Sequence, residues 1–267
     1  MTLNAVFHGR GSSADSARAT EYLDALSAHP AVRAYKARTF DLTLSGAPRS
    51  VLDVGCGLGD DAVALDERSS TSTRVVGTDI SPVFLAEARR RAPADGAVEF
   101  VEANTDGSLP FPDGSFDAVR ADRVLQHLDK PGVLLDEMRR VISSGGRIVL
   151  SEPDWGELSI ADLDDEAAAL TRELVSAAFS SPTVGSGLAA ELEARGFGEV
   201  AAERTTLAIT SLQEAQLLLS FDELLAAGAD SDTAARMLSE LSRLEQAEKL
   251  EIEIVGYIAS GLVPGRG

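Results

Sequence analysis

The residues best placed to do chemistry are gathered in Asp53-Val54-Gly55-Cys56-Gly57-Leu58-Gly59, followed at once by Asp60-Asp61 and, twenty residues past Gly59, by Asp79. Glycines at that spacing let a backbone turn sharply and approach a ligand with no Cβ in the way. A carboxylate at the position of Asp79 can accept hydrogen bonds from both hydroxyls of a ribose. Together these residues describe a nucleotide site. A dinucleotide site uses G-x-G-x-x-G and docks its pyrophosphate on a helix N-terminus. Here the third glycine comes one residue early, and two carboxylates that suit the helix dipole would repel a pyrophosphate. The pattern favours a ligand with a positive charge and no phosphate.

Such a loop works only at the junction of a strand and a helix, and the flanking sequence supplies both. Val51-Leu52-Asp53-Val54 reads as a short apolar strand, the glycine loop follows, and residues 59–68 read as a helix. A second strand over 74–78 delivers Asp79, and Ser81-Pro82 marks the next helix start, a cap with proline in the first turn. Strands over 98–101 and 116–120, a helix over 131–142 broken by Gly145-Gly146, and a strand over 147–151 continue the alternation. Five strand-then-helix units imply a parallel sheet covered on both faces. Upstream, residues 15–44 carry Tyr22, Leu23, Leu26, Val32, Tyr35 and Phe40 at helical spacing, divided by Pro30. Downstream come helices near 162–180 and 186–195, a strand near 199–209, helical stretches near 211–228 and 231–247, and a last strand near 250–259.

Composition sets the outer limits. The chain has 267 residues, 24 Lys plus Arg and 43 Asp plus Glu, for a formal net charge of −19. A nucleic acid would be repelled by that field, so no nucleic-acid partner is expected; Arg89-Arg90-Arg91 reads as a helix end complementing the dipole. No apolar run approaches a membrane span, and the first residues lack a secretory signal pattern. The single cysteine, Cys56, forbids an internal disulfide and is read as a small buried residue of the loop. A cytoplasmic chain with no membrane partner is the expectation. His8 and His29 are scattered and lack metal spacing, so no metal site is expected.

Val51–Gly59, Asp79, the run from Leu109-Pro110-Phe111-Pro112-Asp113-Gly114-Ser115-Phe116-Asp117 through Val124-Leu125-Gln126-His127-Leu128, and Gly145-Gly146-Arg147 resemble class I S-adenosylmethionine-dependent methyltransferases. The nearest group is the small-molecule branch related to ubiquinone and menaquinone biosynthesis enzymes. The resemblance is strong over about residues 30–160. It implies an α/β, Rossmann-like, seven-stranded, mostly parallel sheet with an antiparallel last strand, and S-adenosyl-L-methionine as cofactor. It places Asp53, Gly55, Gly57 and Gly59, with Cys56 among them, around the methionine part of that cofactor, Asp79 on the ribose and Ile80 against adenine. Asn104-Thr105 stands where the family usually has an acid and Ala, and an Asn carbonyl can accept the same hydrogen bond. Ala121, at the end of strand four, is counted with the cofactor side.

The organisation expected is one methyltransferase domain over 1–267. It comprises an N-terminal helical lid (1–48), a cofactor-binding core (49–155), and substrate-side helices with the last two strands (156–267), including a helical insertion before the last strand. In open α/β sheets ligands lie beyond the carboxyl ends of the strands. His127, one turn beyond strand four, is therefore either a general base or a group that fixes the local backbone. Trp155 either borders the substrate and faces the sulfonium or is packing at a strand end. Arg120 and Arg123 either orient an anionic substrate or pair with Asp122 and Glu152. The Pro-Pro-aromatic motif of enzymes that methylate nucleic-acid bases is absent. The leading reading is methyl transfer to an O, N or C nucleophile of a small metabolite, of the kind found in secondary metabolism. A non-catalytic cofactor binder and an NAD(P)-dependent oxidoreductase are the alternatives. The last is disfavoured by Asp60, Asp61 and the lack of a Tyr-x-x-x-Lys pair. The stripe Leu217–Leu219 with Phe221, Leu224 and Leu225 is core, pocket lining or a homodimer contact.

Overall fold

In the computed structural model, which describes residues 13–104 and 107–265, six strands running one way and one antiparallel strand form the sheet. Helices α1 (Ser13–Ala28) and α2 (Pro30–Leu44) precede β1 (Ser50–Val54), α3 (Asp60–Arg68), β2 (Arg74–Asp79), α4 (Pro82–Arg91), β3 (Glu99–Glu102) and β4 (Phe116–Asp122). A single 3-10 turn (Leu125–His127) leads to α5 (Pro131–Val141), β5 (Ile142–Ile160), α6 (Asp165–Ser176) and α7 (Val184–Ala194). Then follow β6 (Gly198–Ile209), α8 (Leu212–Leu219), α9 (Phe221–Gly228), α10 (Ser231–Gln246) and β7 (Ile252–Leu262). The strand order is β3-β2-β1-β4-β5-β7-β6, with β7 antiparallel to both neighbours.

That order puts the carboxyl ends of β1, β2 and β4 side by side, which is where an open α/β sheet offers a crevice. Both faces of the sheet are covered. Leu134, Leu135 and Met138 of α5 and Leu188 and Leu192 of α7 bury one side against Leu52, Val119 and Ile148. Phe40 of α2 and Ala62 and Leu65 of α3 cover the other side at Val51, Val75 and Ala118. A further cluster around Trp155, Leu219, Phe221, Leu241 and Ile252 fastens α6 and α8–α10 to the far ends of the long strands.

Two elements depart from the sequence reading. Strand five is not a five-residue segment over 147–151 but runs from Ile142 to Ile160. Against β4 it pairs only to Ser151, yet β7 continues alongside it to Ile160. Pro153, which lacks an N–H, is tolerated because it lies past the end of β4 and is flanked on one side only. Gly145-Gly146 does not end the preceding helix, which stops at Val141. Gly145, at φ +78°, sits in a bulge where Phe116 faces Ile142 and Ala118 faces Arg147. The stretch 211–228 is two helices, broken at Ser220 by a left-handed φ of +52°.

Candidate active site

The glycine loop divides its work by position. Gly55, Gly57 and Gly59 have φ of +72°, +52° and +82°, the left-handed region that a side chain disfavours. A Cβ at Gly55 would run into Val124, and one at Gly59 would lie 2.8 Å from the Phe100 ring and from Ala88. These two glycines permit the close packing of the loop against Val124, just past β4, and against β3 and α4. At Gly57 a Cβ would meet only a Leu23 methyl at 3.7 Å, so the bare backbone there faces open space. Cys56 donates its N–H to the Thr78 carbonyl at 2.8 Å and is buried, which raises its thiol well above the ordinary range.

Asp79 closes the loop from the next strand. One carboxylate oxygen accepts the Gly57 N–H at 2.9 Å and the other the Ser81 N–H at 2.8 Å. Burial pushes its pKa up, against the pull of those N–H bonds. Each oxygen keeps a further lone pair for a ligand hydroxyl.

Beneath the loop lies a buried charge cluster. The Arg120 guanidinium is 1% exposed, donates to Asp53 at 2.7 Å, to Asp61 and Asp122 at 2.9 Å each, and to the Thr39 hydroxyl at 3.1 Å. Lys36 adds a second cation 2.9 Å from Asp61. Tyr35 donates its hydroxyl to Asp122 at 3.3 Å. Burial pushes Asp53 up to about 6 against the attraction of Arg120. Burial also opposes the charge on Lys36, but Asp61 and Asp122 outweigh it and hold the ammonium protonated. With both cations on it, Asp61 is largely neutralised; the repulsion of a pyrophosphate argued from Asp60 and Asp61 therefore falls on Asp60.

Past β4 the chain turns on Arg123, a non-glycine residue at φ +59°. Glu152, 1% exposed, accepts the N–H groups of Val124 and Leu125 at 2.7 Å and of Gln126 at 3.3 Å, so it holds the turn that carries His127. Burial pushes this carboxyl up to about 8. Gln126 accepts from the Trp155 indole N–H at 2.8 Å, and its amide nitrogen lies 3.3 Å from His127 Nε2. Phe179 stacks on Trp155 and tilts against the His127 ring.

Asp53, Gly55, Cys56, Gly57, Asp79, Arg123 and His127 line one cleft of about 100 Å³ that opens to solvent. Gly59, Ile80, Asn104 and Ala121 do not line it, and Thr105 and His8 lie outside the described residues. Trp155 does not line this cleft: at 1% exposure it packs in the core below Arg123 and Phe179, as one of its two readings had it. Arg120 is a pairing residue, as one of its two readings had it. The cleft is also lined by Leu23, Leu26, Ser27, Lys36, Phe84, Asp122 and Gln126, none of which the sequence reading singled out as site residues. The available signal was Lys36 and Thr39 beside Phe40 at helical spacing, polar groups on a face assigned to the core. Of the aromatic residues on the N-terminal helices, Tyr22 lines the cleft, whereas Phe40 belongs to the core cluster on the sheet. The cleft takes no residue from the helices beyond Trp155 among the described residues, so those helices do not wall it.

The open backbone at Gly57 and the free lone pairs of Asp79 fit an adenosyl ligand whose amino-acid end lies in the loop. Fold and site together are similar to those of class I S-adenosylmethionine-dependent methyltransferase domains. Residues 52–150 match the family described as a methyltransferase domain. A 37.1 kDa protein encoded in transposon TN4556 of Streptomyces fradiae is 41% identical over 192 residues, covering 72% of this chain and 54% of the relative. Demethylmenaquinone methyltransferase of Thermus thermophilus is 43% identical over 119 residues, covering 44% and 53%. The chain thus spans about half the length of the curated relatives it matches. Among solved structures, the YcgJ protein of Bacillus subtilis superposes with a TM-score of 0.61 at 18% identity, over 88% of this chain and all of the other.

Proposed function

We propose that the chain transfers a methyl group from S-adenosyl-L-methionine to an O, N or C nucleophile of a small metabolite, with secondary metabolism as its setting. The observation that carries this is the Gly57 cradle tied to Asp79 at 2.9 Å, which joins loop and ribose site into one unit. Asp79 would hold the ribose hydroxyls, and Gly55, Cys56 and Gly57 would lie along the amino-acid end. The bound cofactor supplies an electrophilic methyl on a sulfonium. Leu23, Leu26 and Phe84 line the cleft beside the loop and would shield a bound cofactor from water. The Arg120 cluster fixes β1, β4, α2 and α3 relative to one another, so the cleft is assembled before ligand arrives. Such alignment is most of what an in-line displacement needs, and holding reactants in register is worth on the order of 7–11 kcal/mol. His127 faces the same cleft and is the candidate base for an acceptor that must lose a proton, a contribution of about 10²–10⁴-fold. One domain, a cytoplasmic setting, no nucleic-acid partner and a homodimer belong to the same reading.

The test is calorimetric titration with S-adenosylmethionine, S-adenosylhomocysteine and NAD, on the intact chain and on Asp79→Ala. Micromolar binding of both adenosyl ligands, lost in the variant and absent for NAD, is the expected result. Binding of NAD alone would overturn the reading. Single-turnover assays with methyl-labelled cofactor and a panel of phenols, amines and quinols then test transfer; binding with no transfer would point to a non-catalytic binder.

A further inference from the structure

Two arginines stand three positions apart at the end of β4, and the structure treats them oppositely. Arg120 is saturated by three carboxylates. Arg123 has no carboxylate within 4.0 Å of its guanidinium among the described residues. The acids that face it, Asp122 and Glu152, are engaged elsewhere, one by Arg120 and Tyr35, the other by three backbone N–H groups. Its Nη2 donates to the Tyr22 hydroxyl at 2.8 Å, and its guanidinium carbon lies 5.8 Å from the centre of the Trp155 ring. A guanidinium has five N–H donors, and these contacts leave a fork of them unspent.

Its place is equally particular. A second, smaller cavity of about 30 Å³ lies between α2 and strands β5, β6 and β7, lined by Tyr35, Ser151, Glu152 and Thr205 among others. Among the described residues Arg123 alone lines both this cavity and the cofactor cleft. The left-handed backbone that aims it there is strained for a non-glycine residue and is pinned by its own N–H, which donates to the Ser151 carbonyl at 2.8 Å. A part-buried guanidinium with no carboxylate partner, facing two cavities, is a receptor for a planar anion.

The geometry points to Arg123 as a carboxylate-binding residue at the junction of the two cavities, positioning either the amino-acid carboxylate of the cofactor or a carboxylate on the acceptor. This deepens the methyltransferase reading and rests on it for the identity of the cleft's occupant.

Calorimetry on the full chain and on Arg123→Gln separates the sources. One pair of probes is S-adenosylhomocysteine and 5′-deoxy-5′-(3-aminopropylthio)adenosine, which lacks only the carboxylate. The other is benzoate and benzamide, titrated with S-adenosylhomocysteine saturating. If the anion is the cofactor's, the intact chain prefers S-adenosylhomocysteine by about tenfold or more, and Arg123→Gln abolishes that preference. If it is the acceptor's, the adenosyl preference survives the substitution, and a preference for benzoate over benzamide is lost. Arg123→Lys keeps part of either preference, since it keeps the charge without the fork. No carboxylate preference in either pair on the intact chain overturns the assignment, with no need of a folded variant. So does a preference that a folded Arg123→Gln leaves unchanged. Failure of the intact chain to bind any adenosyl ligand overturns the cofactor reading instead, and benzoate against benzamide on the free chain then decides Arg123 by itself.

Discussion

Arg120 and Arg123 illustrate how much a residue's role depends on what surrounds it. In the sequence both carry the same two readings, anion receptor or ion-pair partner, and nothing in Arg-Ala-Asp-Arg separates them. The structure separates them by burial and by backbone. Arg120 points under the loop among Asp53, Asp61 and Asp122, while Arg123, at a φ of +59°, lines the cleft. Removing Arg120 leaves three buried carboxylates with Lys36 as their one close cation. Arg120→Gln is therefore expected to lower unfolding free energy by about 3–5 kcal/mol, measured by urea denaturation. A loss under about 1 kcal/mol would show that the cluster is hydrated and does not hold the elements together.

At the scale of elements, the glycine loop was legible because its requirement is local: a strand must turn into a helix within a few residues. The division of labour among its glycines was not legible, since it depends on what α1, α4, β3 and β4 place against each one. Gly59→Ala forces a methyl to within 2.8 Å of Phe100 and Ala88 at a left-handed φ, and is expected to cost well over 1 kcal/mol of stability. Gly57→Ala meets only Leu23 at 3.7 Å; its stability cost is expected to stay near the roughly 1–2 kcal/mol of a left-handed backbone. Yet this methyl fills the proposed cradle, so Gly57→Ala should lose S-adenosylhomocysteine affinity at least tenfold while remaining folded. Thermal unfolding and calorimetry on the two variants check both halves, and equal affinity in Gly57→Ala would remove the cradle from the site. Strand five was misjudged in length for a related reason. Pro153 reads as a strand breaker, and only the antiparallel arrival of β7 shows that one side of the strand is free to carry it.

At the scale of the molecule, buried acids set a pH dependence. Glu152 has its pKa pushed from 4.5 up to about 8, and Asp53 from 3.8 up to about 6, both chiefly by burial. A raised folded-state value means the native chain keeps a proton that the unfolded chain has released. Their contribution is therefore whole below about pH 4 and is lost as pH rises to about 8. Asp61, held low by Lys36 and Arg120 against its burial, acts in the opposite sense but only in the acid range below its ordinary value of 3.8. Unfolding free energy is thus expected to fall between pH 6 and 8 by up to roughly 1.4 kcal/mol per unit, and Glu152→Gln should flatten that slope. A slope unchanged by the substitution would mean that Glu152 is ionised throughout the range.

The sequence by itself determined the order of strands and helices and the loop with its partner acid. These are set by periodicity, turn chemistry and short spacings, which operate over a few residues at a time. Tertiary structure alone decided that Arg120 is spent on three carboxylates and Arg123 is not, that Trp155 is core, and that Lys36 reaches the cleft from a helix preceding the sheet. Those outcomes depend on which side chains distant segments bring within about 3 Å of one another, and charge pairing and burial act at that range irrespective of distance along the chain.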